Sequence, residues 1–541
     1  MSEPRRRGAA LAVAAGILLS RVSGLVRERV FAHFLGNSPA AGAFKAAQKI
    51  PNLLQNLFGE GVLSASFVTV YARLLAEGKE EEAGRVASVV ASLLAVAVSG
   101  LVLVGVLVTR PLIDVIAPGF SGEQRELTIR LVQIMFSGCG LLVLSAWCLG
   151  VLNTHRRFFL SYVAPVLWNV AMIVALIVWG IHSARTSASE MHLVEIVAWA
   201  MVVGSGLQLA VQLPVAVPLV RRLRPSLDVS LPSVRKVLSN FAPVVLSRGV
   251  MQLSAYIDQV IASYLEPAVA AIGAVQQPSI VAAMAYAQIL YTLPSSLFGM
   301  SVAAAELPEM SRELGTTDEV ATRLRARLDD ALGRIAFFVV PSTVTFIALG
   351  GVVAGMLFQT GAFHRNDSIV VWTILAGSSI GLLAGTQSNL LRNAFYALRD
   401  TRTPLAFAVA RVVLTAALGW ACALPLRRHF GWSASLAAAG LTASAGLAGW
   451  LEFLLLQRAL VSRIGRVSVG FGKMCKLWIA ALVGGGAGFA LDRVLPLGHP
   501  ILRGALILGA HGAIYGALTL ALGVPEARAV LSRVRRRAAG K

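Results

Sequence analysis

ASVVASLLAVAVSGLVLVGVLVT, Ala87–Thr109, contains no charged residue and no proline. A helix that crosses a bilayer needs about 20 predominantly apolar residues to traverse a hydrocarbon core about 30 Å thick. This stretch meets the requirement alone. To either side, comparable runs occupy about 8–35, 44–72, 126–153, 159–182, 190–220, 237–264, 279–303, 335–358, 368–396, 404–426, 434–457, 474–495 and 501–523. Together they make fourteen candidate spans, of which 8–35, 44–72 and 279–303 hold the most polar residues. The whole chain agrees: of 541 residues, 56% are hydrophobic and 14% charged, with a mean hydropathy of +0.73. A soluble domain carries roughly 25% charged residues. A water-soluble chain of this composition would lack the polar surface to cover itself. The expected fold class is therefore all-α and integral to the membrane.

The net charge is +21, from 48 Lys and Arg against 27 Asp and Glu. Such an excess can signal nucleic acid, but cytoplasmic loops of membrane proteins carry Lys and Arg for their own reason. With the N-terminus inside, basic clusters fall at Arg5–Arg7, Arg73–Arg85, Arg156-Arg157, Arg221–Lys236, Arg312–Arg334, Arg399–Arg402, Arg458–Lys476 and the C-terminal tail. These outnumber the cations of the opposite face more than threefold. The alternation supports fourteen spans with both termini cytoplasmic, Arg427-Arg428 being the one local exception. No nucleic-acid partner is expected. Met1–Ser20 begins like a secretory signal, but its apolar run continues past Arg21 without a clear cleavage site and reads as an uncleaved first helix. Residues 307–334 set Arg323, Arg325, Arg327, Asp329 and Asp330 among leucines. That pattern fits either an amphipathic helix on the cytoplasmic surface or a solvated connector.

An internal repeat divides the chain. Leu19-Ser20-Arg21 recurs as Leu246-Ser247-Arg248, and Gln48 with Leu57-Phe58-Gly59 recurs at the same internal spacing as Gln288 with Leu297-Phe298-Gly299. In order, and at corresponding helices, these matches point to a duplicated bundle with parallel repeats. The expected organisation is a six-helix lobe over 1–220, a cytoplasmic linker over 221–236, a second six-helix lobe over 237–457, two extra helices over 458–523 and a basic tail over 524–541. Substrate sites of such transporters lie between repeats that alternate in access.

Ionisable residues inside spans are costly and usually face a bundle interior or a wet cavity. Ser20, Gly24 and Arg27 share one helical stripe, with Arg21 on its flank. Arg248, Gln252, Ala255 and Gln259 form a second polar stripe on the seventh span. With Lys49, Glu60 and Asp258 they outline a net-positive cavity suited to an anion, a phosphate above all, because guanidinium groups bind phosphate in a fixed fork. The alternative is that Arg29, Lys45, Glu306 and Arg411 snorkel to the interface and Glu60 merely pairs with a neighbouring cation. Gly484 and Gly488 form a G-x-x-x-G, which by default means close helix packing. Cys139, Cys148, Cys422 and Cys475 lack metal or disulfide spacing, and the histidines show no metal pattern. No cofactor or metal is expected. Without a phosphate-loop, zinc-protease or nucleophile-elbow motif, nothing points to an enzyme.

Leu19–Arg27, Ala43-Phe44, Lys49–Leu54 and Phe58–Val68 resemble the first two helices of the MurJ (MviN) lipid II flippases. Ala117–Phe120, Leu152–Thr154 and Arg399–Pro404 are also similar to that family. The similarity spans nearly the whole chain. It implies the MOP-superfamily transporter fold, two pseudo-symmetric six-helix lobes plus two C-terminal helices. It implies a monomer in the bacterial cytoplasmic membrane that moves lipid II, a polyprenyl-pyrophosphate-linked peptidoglycan precursor, from the inner to the outer leaflet. It places Ser20, Arg21, Arg27 and Lys49 at cavity positions and a lipid-tail groove beside the last two helices. Membrane lipids and a coupling ion are the other implied partners, with an ion gradient or the membrane potential as energy source. The chain departs from the family at Gly42, usually acidic, and at Gln55 and Gln288, usually arginine; Arg248 is an extra cation. Substrate-binding residues are thus expected at Ser20, Arg21, Arg27, Lys49, Gln55, Arg248, Gln252 and Gln288, with gating or charge pairing at Glu60 and Asp258. A flippase for another polyprenyl-pyrophosphate-linked oligosaccharide stays open. A multidrug or cation antiporter of the same fold would need a mainly acidic cavity.

Overall fold

A computed structural model of the protein describes residues 3–186, 190–220, 223–266, 278–311, 317–398, 400–495 and 498–538. By packing, the chain forms two compact units. One is Met1–Ala282 with Thr360–Phe363; the other is Ala283–Gln359 with His364–Lys541.

In the first unit α1 (Glu3–Leu35) leads into α2 (Pro39–Phe58), α3 (Glu60–Leu63), a π-helical stretch at Ser64–Val68 and α4 (Thr69–Ala76). Then follow α5 (Glu80–Leu107), α6 (Thr109–Ile116), α7 (Gly122–Thr154), α8 (Phe158–Thr186), α9 (Glu190–Ala216) and α10 (Pro232–Ser263). Local chemistry sets the starts: Ser38 accepts from the Ala41 N–H at 3.2 Å, with Pro39 in the first turn of α2, where its missing donor costs nothing. Helices α7 and α9 are joined by polar side chains. Ser145 donates to Gln212 Oε1 at 2.6 Å and accepts from Gln208 Nε2 at 2.8 Å. Interhelical hydrogen bonds of this kind replace the hydrophobic drive that lipid removes.

The second unit continues with α11 (Ile280–Pro294), a π-helical stretch at Ser295–Met300, α12 (Ser301–Ser311), α13 (Thr317–Phe358), α14 (Arg365–Ser379) and α15 (Leu382–Ala397). It ends with α16 (Arg402–Ala423), α17 (Pro425–Phe430), α18 (Ala434–Ile464), α19 (Phe471–Val494), α20 (Pro500–Ala521) and α21 (Pro525–Ala538). A π-helical stretch thus interrupts the second long helix of each sequence repeat, next to Leu57-Phe58-Gly59 in one and across Leu297-Phe298-Gly299 in the other. Between α14 and α15 the axis bends by 44°. There Gly381 and Gly446 meet backbone to backbone, where no Cβ would fit, and the Trp450 indole donates to the Ile380 carbonyl at 2.8 Å. The last two helices pack through small residues as the G-x-x-x-G implies. A Cβ on Gly484 would stand 3.0 Å from the His511 carbonyl oxygen, and one on Gly488 3.5 Å from Ile507 Cγ2. Tyr515 anchors α20 to α13 by donating to the Phe337 carbonyl at 2.6 Å.

Ten helices among the described residues are long and apolar enough to cross a membrane, and the bent pair α14–α15 makes an eleventh if counted as one span. The expected count was fourteen. The other three segments, 8–35, 44–72 and 237–264, are also helical but are not among those spans. Residues 317–334 form neither a separate surface helix nor a connector. They are the opening turns of α13, a single helix of 42 residues, about 63 Å long at about 1.5 Å per residue and so about twice the hydrocarbon thickness. Leu324, Leu328, Ala331 and Leu332 are buried along it, which holds the charged half in register with the apolar half. All four cysteines are free thiols.

Candidate functional site

On α1, Ser20 is half-buried, Arg21 exposed and Arg27 half-buried. Arg27 is tightly held. Its guanidinium donates to Asn169 Oδ1 at 2.9 Å and to Glu28 Oε1 at 2.6 Å, and lies 4.7 Å from the centre of the Trp168 ring. Asn169 also donates to Ser23 Oγ at 2.9 Å, and Ser23 donates to the Ser20 carbonyl at 2.9 Å. Ser20 and Arg27 are therefore linked through Asn169 of α8, and Gly24, between them on the stripe, faces that same amide. Arg21 has no hydrogen bond or ion pair among the described residues and offers its full fork to a ligand.

The sequence reading missed Glu28. Its carboxylate is buried and takes Arg27 on one oxygen and the Lys45 ammonium, at 2.5 Å, on the other. Lys45 also lies 4.3 Å from the Phe31 ring centre. Lys45 is thus no snorkelling interfacial residue but half of an internal ion pair. The run Arg27-Glu28-Arg29 signals an acid among cations; that its second partner comes from α2 is a fact of tertiary packing.

Lys49 of α2 interacts electrostatically with Asp258 of α10, and its carbonyl accepts from the Tyr256 hydroxyl at 2.6 Å. Gln55 is half-buried, two turns further along α2. Gln259, on the α10 stripe, is buried. The side chains of Glu60, Arg248 and Gln252 lie outside the described residues. In the second unit Gln288 is exposed on α11 and donates to Thr292 Oγ1 at 3.1 Å.

The second unit holds a charge cluster of its own. Glu452 of α18, 1% exposed, sits 2.7 Å from the Arg392 guanidinium of α15 and 3.3 Å from that of Arg411 on α16. Arg411, open to a snorkelling reading from the sequence, pairs inward instead. Glu306 likewise accepts from Arg334 at 2.5 Å. Among the described residues no group of three or more His, Cys, Asp or Glu side chains could hold a metal ion. The first unit thus presents an exposed Arg21, a networked Arg27 and a Lys49 under the electrostatic influence of Asp258, an arrangement suited to binding an anion without covalent chemistry.

Comparison with known proteins identifies the family. Residues 31–494 match the family model described as lipid II flippase MurJ. A probable lipid II flippase MurJ from Rhizobium tropici is 31% identical over 463 residues, covering 84% of this chain and 80% of that protein. The lipid II flippase MurJ of Burkholderia cenocepacia is 31% identical over 462 residues, covering 84% of each. A solved structure of lipid II flippase MurJ in an inward closed conformation superimposes with a TM-score of 0.74 at 21% identity, covering 95% of this chain and 99% of that one. The chain belongs to the MurJ lipid II flippase family and is a multi-pass membrane transporter rather than an enzyme.

Proposed function

We propose that this protein moves lipid II from the inner to the outer leaflet of a bacterial cytoplasmic membrane by alternating access. The observation that carries the reading is the family match over residues 31–494. The relatives bear the name of that activity over 84% of the chain, which favours it over another lipid-linked glycan or a drug antiporter. Both termini are cytoplasmic in this reading, the protein acts as a monomer, and the lobe boundaries follow the sequence repeat. The cavity residues are Ser20, Arg21, Arg27, Lys49, Gln55, Arg248, Gln252 and Gln288, with Glu60 and Asp258 as charge partners. A coupling ion or the membrane potential supplies the energy, since moving one charge through the field is worth about 2.3 kcal/mol per 100 mV.

The geometry supports different duties for the cations. Arg21 is exposed and free of acids, so it makes the first contact with a phosphate. Arg27 already spends two donor groups on Asn169 and Glu28. It can engage the diphosphate through its remaining N–H groups, or by exchanging Glu28, whose charge Lys45 still neutralises. Lys49 is released to the anion when Asp258 moves away. The test is complementation in a bacterium depleted of its own lipid II flippase. Growth with the native chain and none with an Arg21/Arg27 double-alanine variant of equal membrane abundance is expected. Absence of growth with the inserted native chain overturns the lipid II reading.

A further inference from the structure

The ends of four helices in the second unit enclose a cavity of about 510 Å³. It lies where α13 and α19 finish and α14 and α20 begin. Its rim carries Arg365, Arg493 and Arg503, with Asp492 as the one acid among the lining residues. Asp492 accepts from Arg503 Nε at 2.8 Å. Arg493 lies 5.0 Å from the Phe489 ring centre, and neither Arg493 nor Arg365 has a carboxylate within ion-pair distance among the described residues. Below the rim the lining turns apolar, through Phe489, Trp372, Met356 and Leu349. From Gln359 down to Ala348 the cavity runs beside α13, about 16 Å at about 1.5 Å per residue and close to the depth of one leaflet of a core about 30 Å thick.

The charge balance marks this place. In the assigned orientation these helix ends face outward, the side that membrane proteins keep poor in Lys and Arg. Three outward cations of the first unit are neutralised: Arg110 pairs with Glu126 at 3.2 Å, Arg125 with Asp114 at 2.8 Å, and Arg130 with Glu195 at 3.1 Å. Of Arg365, Arg493 and Arg503, grouped around an amphiphilic hollow, only Arg503 is paired among the described residues, with Asp492. Guanidinium groups take phosphate oxygens in a fork, and an apolar floor one leaflet deep takes an acyl chain.

We propose that this cavity binds an anionic glycerophospholipid of the outer leaflet, its phosphate held by Arg365 and Arg493 beside Arg503 and one acyl chain lying over Trp372 and Phe489. This ligand is a resident membrane lipid, separate from the transported one. The inference rests on the transport reading only for which leaflet these helix ends meet.

The test uses the full-length purified protein, stripped of lipid and titrated with phosphatidylglycerol or phosphatidylcholine, bound lipid being counted by native mass spectrometry. The native chain is expected to hold one phosphatidylglycerol more than an Arg365→Gln/Arg493→Gln variant, with at least tenfold weaker binding at that site in the variant. Neither substitution removes an ion pair, and an unchanged unfolding midpoint in phosphatidylcholine nanodiscs checks the fold. A second measurement leaves the arginines intact. Trp372 fluorescence, isolated by subtracting a Trp372→Phe variant, is expected to be quenched more by dibrominated phosphatidylglycerol than by dibrominated phosphatidylcholine. Equal lipid counts in native and variant protein, equal quenching by both head groups, or full displacement of the lipid by inorganic phosphate would each overturn the proposal. Neither measurement involves lipid II or transport, so its failure leaves the flippase reading standing, and a failed complementation leaves the lipid site standing.

Discussion

Arg27 and Lys45 share the Glu28 carboxylate in a part of the first unit where all three are largely withdrawn from solvent. Removing the acid strands two cations, and breaking a buried pair from one side costs about 3–5 kcal/mol. Glu28→Ala is expected to lower the unfolding midpoint in detergent by several degrees, while Arg21→Ala, exposed and without partners, leaves it unchanged. Equal midpoints for the two variants would mean that the Glu28 network carries no stability. Arg27 consequently has two roles. Viewed along α1 alone it is a cavity cation whose loss should abolish transport and leave the fold intact. Its bonds to Glu28 and Asn169 add a stability cost, so Arg27→Ala is expected to reduce both transport and the midpoint. Arg27→Lys, which keeps the charge but not the fork, should retain more of the second than of the first. The charges on α1 and α2 were legible in the sequence because apolar surroundings expose them. Their partners were not, because Asn169 and Lys45 reach Arg27 and Glu28 only after α8 and α2 pack against α1.

At the scale of elements, Gly42 acquires a reason. The family resemblance places an acid there, yet a Cβ on Gly42 would collide with the Ser279 hydroxyl. A different acid lies close by. Glu266, just beyond α10, is buried and accepts from Ser279 Oγ at 2.8 Å and from the Val281 N–H at 2.7 Å, capping the start of α11. A carboxylate at a helix N-terminus satisfies donors that the helix leaves open. Gly42→Ala is therefore expected to cost about 1–3 kcal/mol through overpacking, measured as a drop in the unfolding midpoint, and Gly42→Ala/Ser279→Ala is expected to cost less than the sum of the two single changes. Burial is the largest influence on Glu266 and pushes its pKa above the ordinary 4.5; the Val281, Ser279 and Gln124 hydrogen bonds oppose it. The sign follows from linkage. An acid whose folded pKa is raised favours folding fully below its unfolded pKa and loses that contribution as pH rises through the folded value. The midpoint of native protein minus that of Glu266→Gln should become more negative from pH 4 towards neutrality; a pH-independent difference would exclude a raised Glu266. The substitution at Gly42 was visible in the sequence. The nearby acid was not, since Glu266 lies in a loop that no periodicity assigns to α2.

For the whole molecule, spans were legible wherever apolar length alone defines them, as in Ala87–Thr109. They became less distinct in 8–35, 44–72 and 237–264, where the helices bearing the proposed cavity residues carry polar groups inside. The long α13 was misjudged for the converse reason: the charges of residues 323–334 interrupt the hydrophobic signal without interrupting the helix. Orientation is the property that the alternating Lys and Arg clusters predict most directly, because it follows from which loops hold them rather than from any side-chain contact. It can be read with two single cysteines in a Cys422→Ser/Cys475→Ser background, the buried Cys139 and Cys148 being left in place. Gly498, at the entrance to α20, has open space for a side chain, and Ser532, in the basic helix α21, is exposed. With both termini inside, a membrane-impermeant maleimide should label Gly498→Cys in intact spheroplasts and Ser532→Cys only after permeabilisation. The reverse pattern would invert every loop. It would place Arg365, Arg493 and Arg503 at the cytoplasmic leaflet, and the first encounter of Arg21 with lipid II would have to be sought from the other side. Labelling at both positions in intact spheroplasts would require an even number of crossings between them, contrary to the single span of α20.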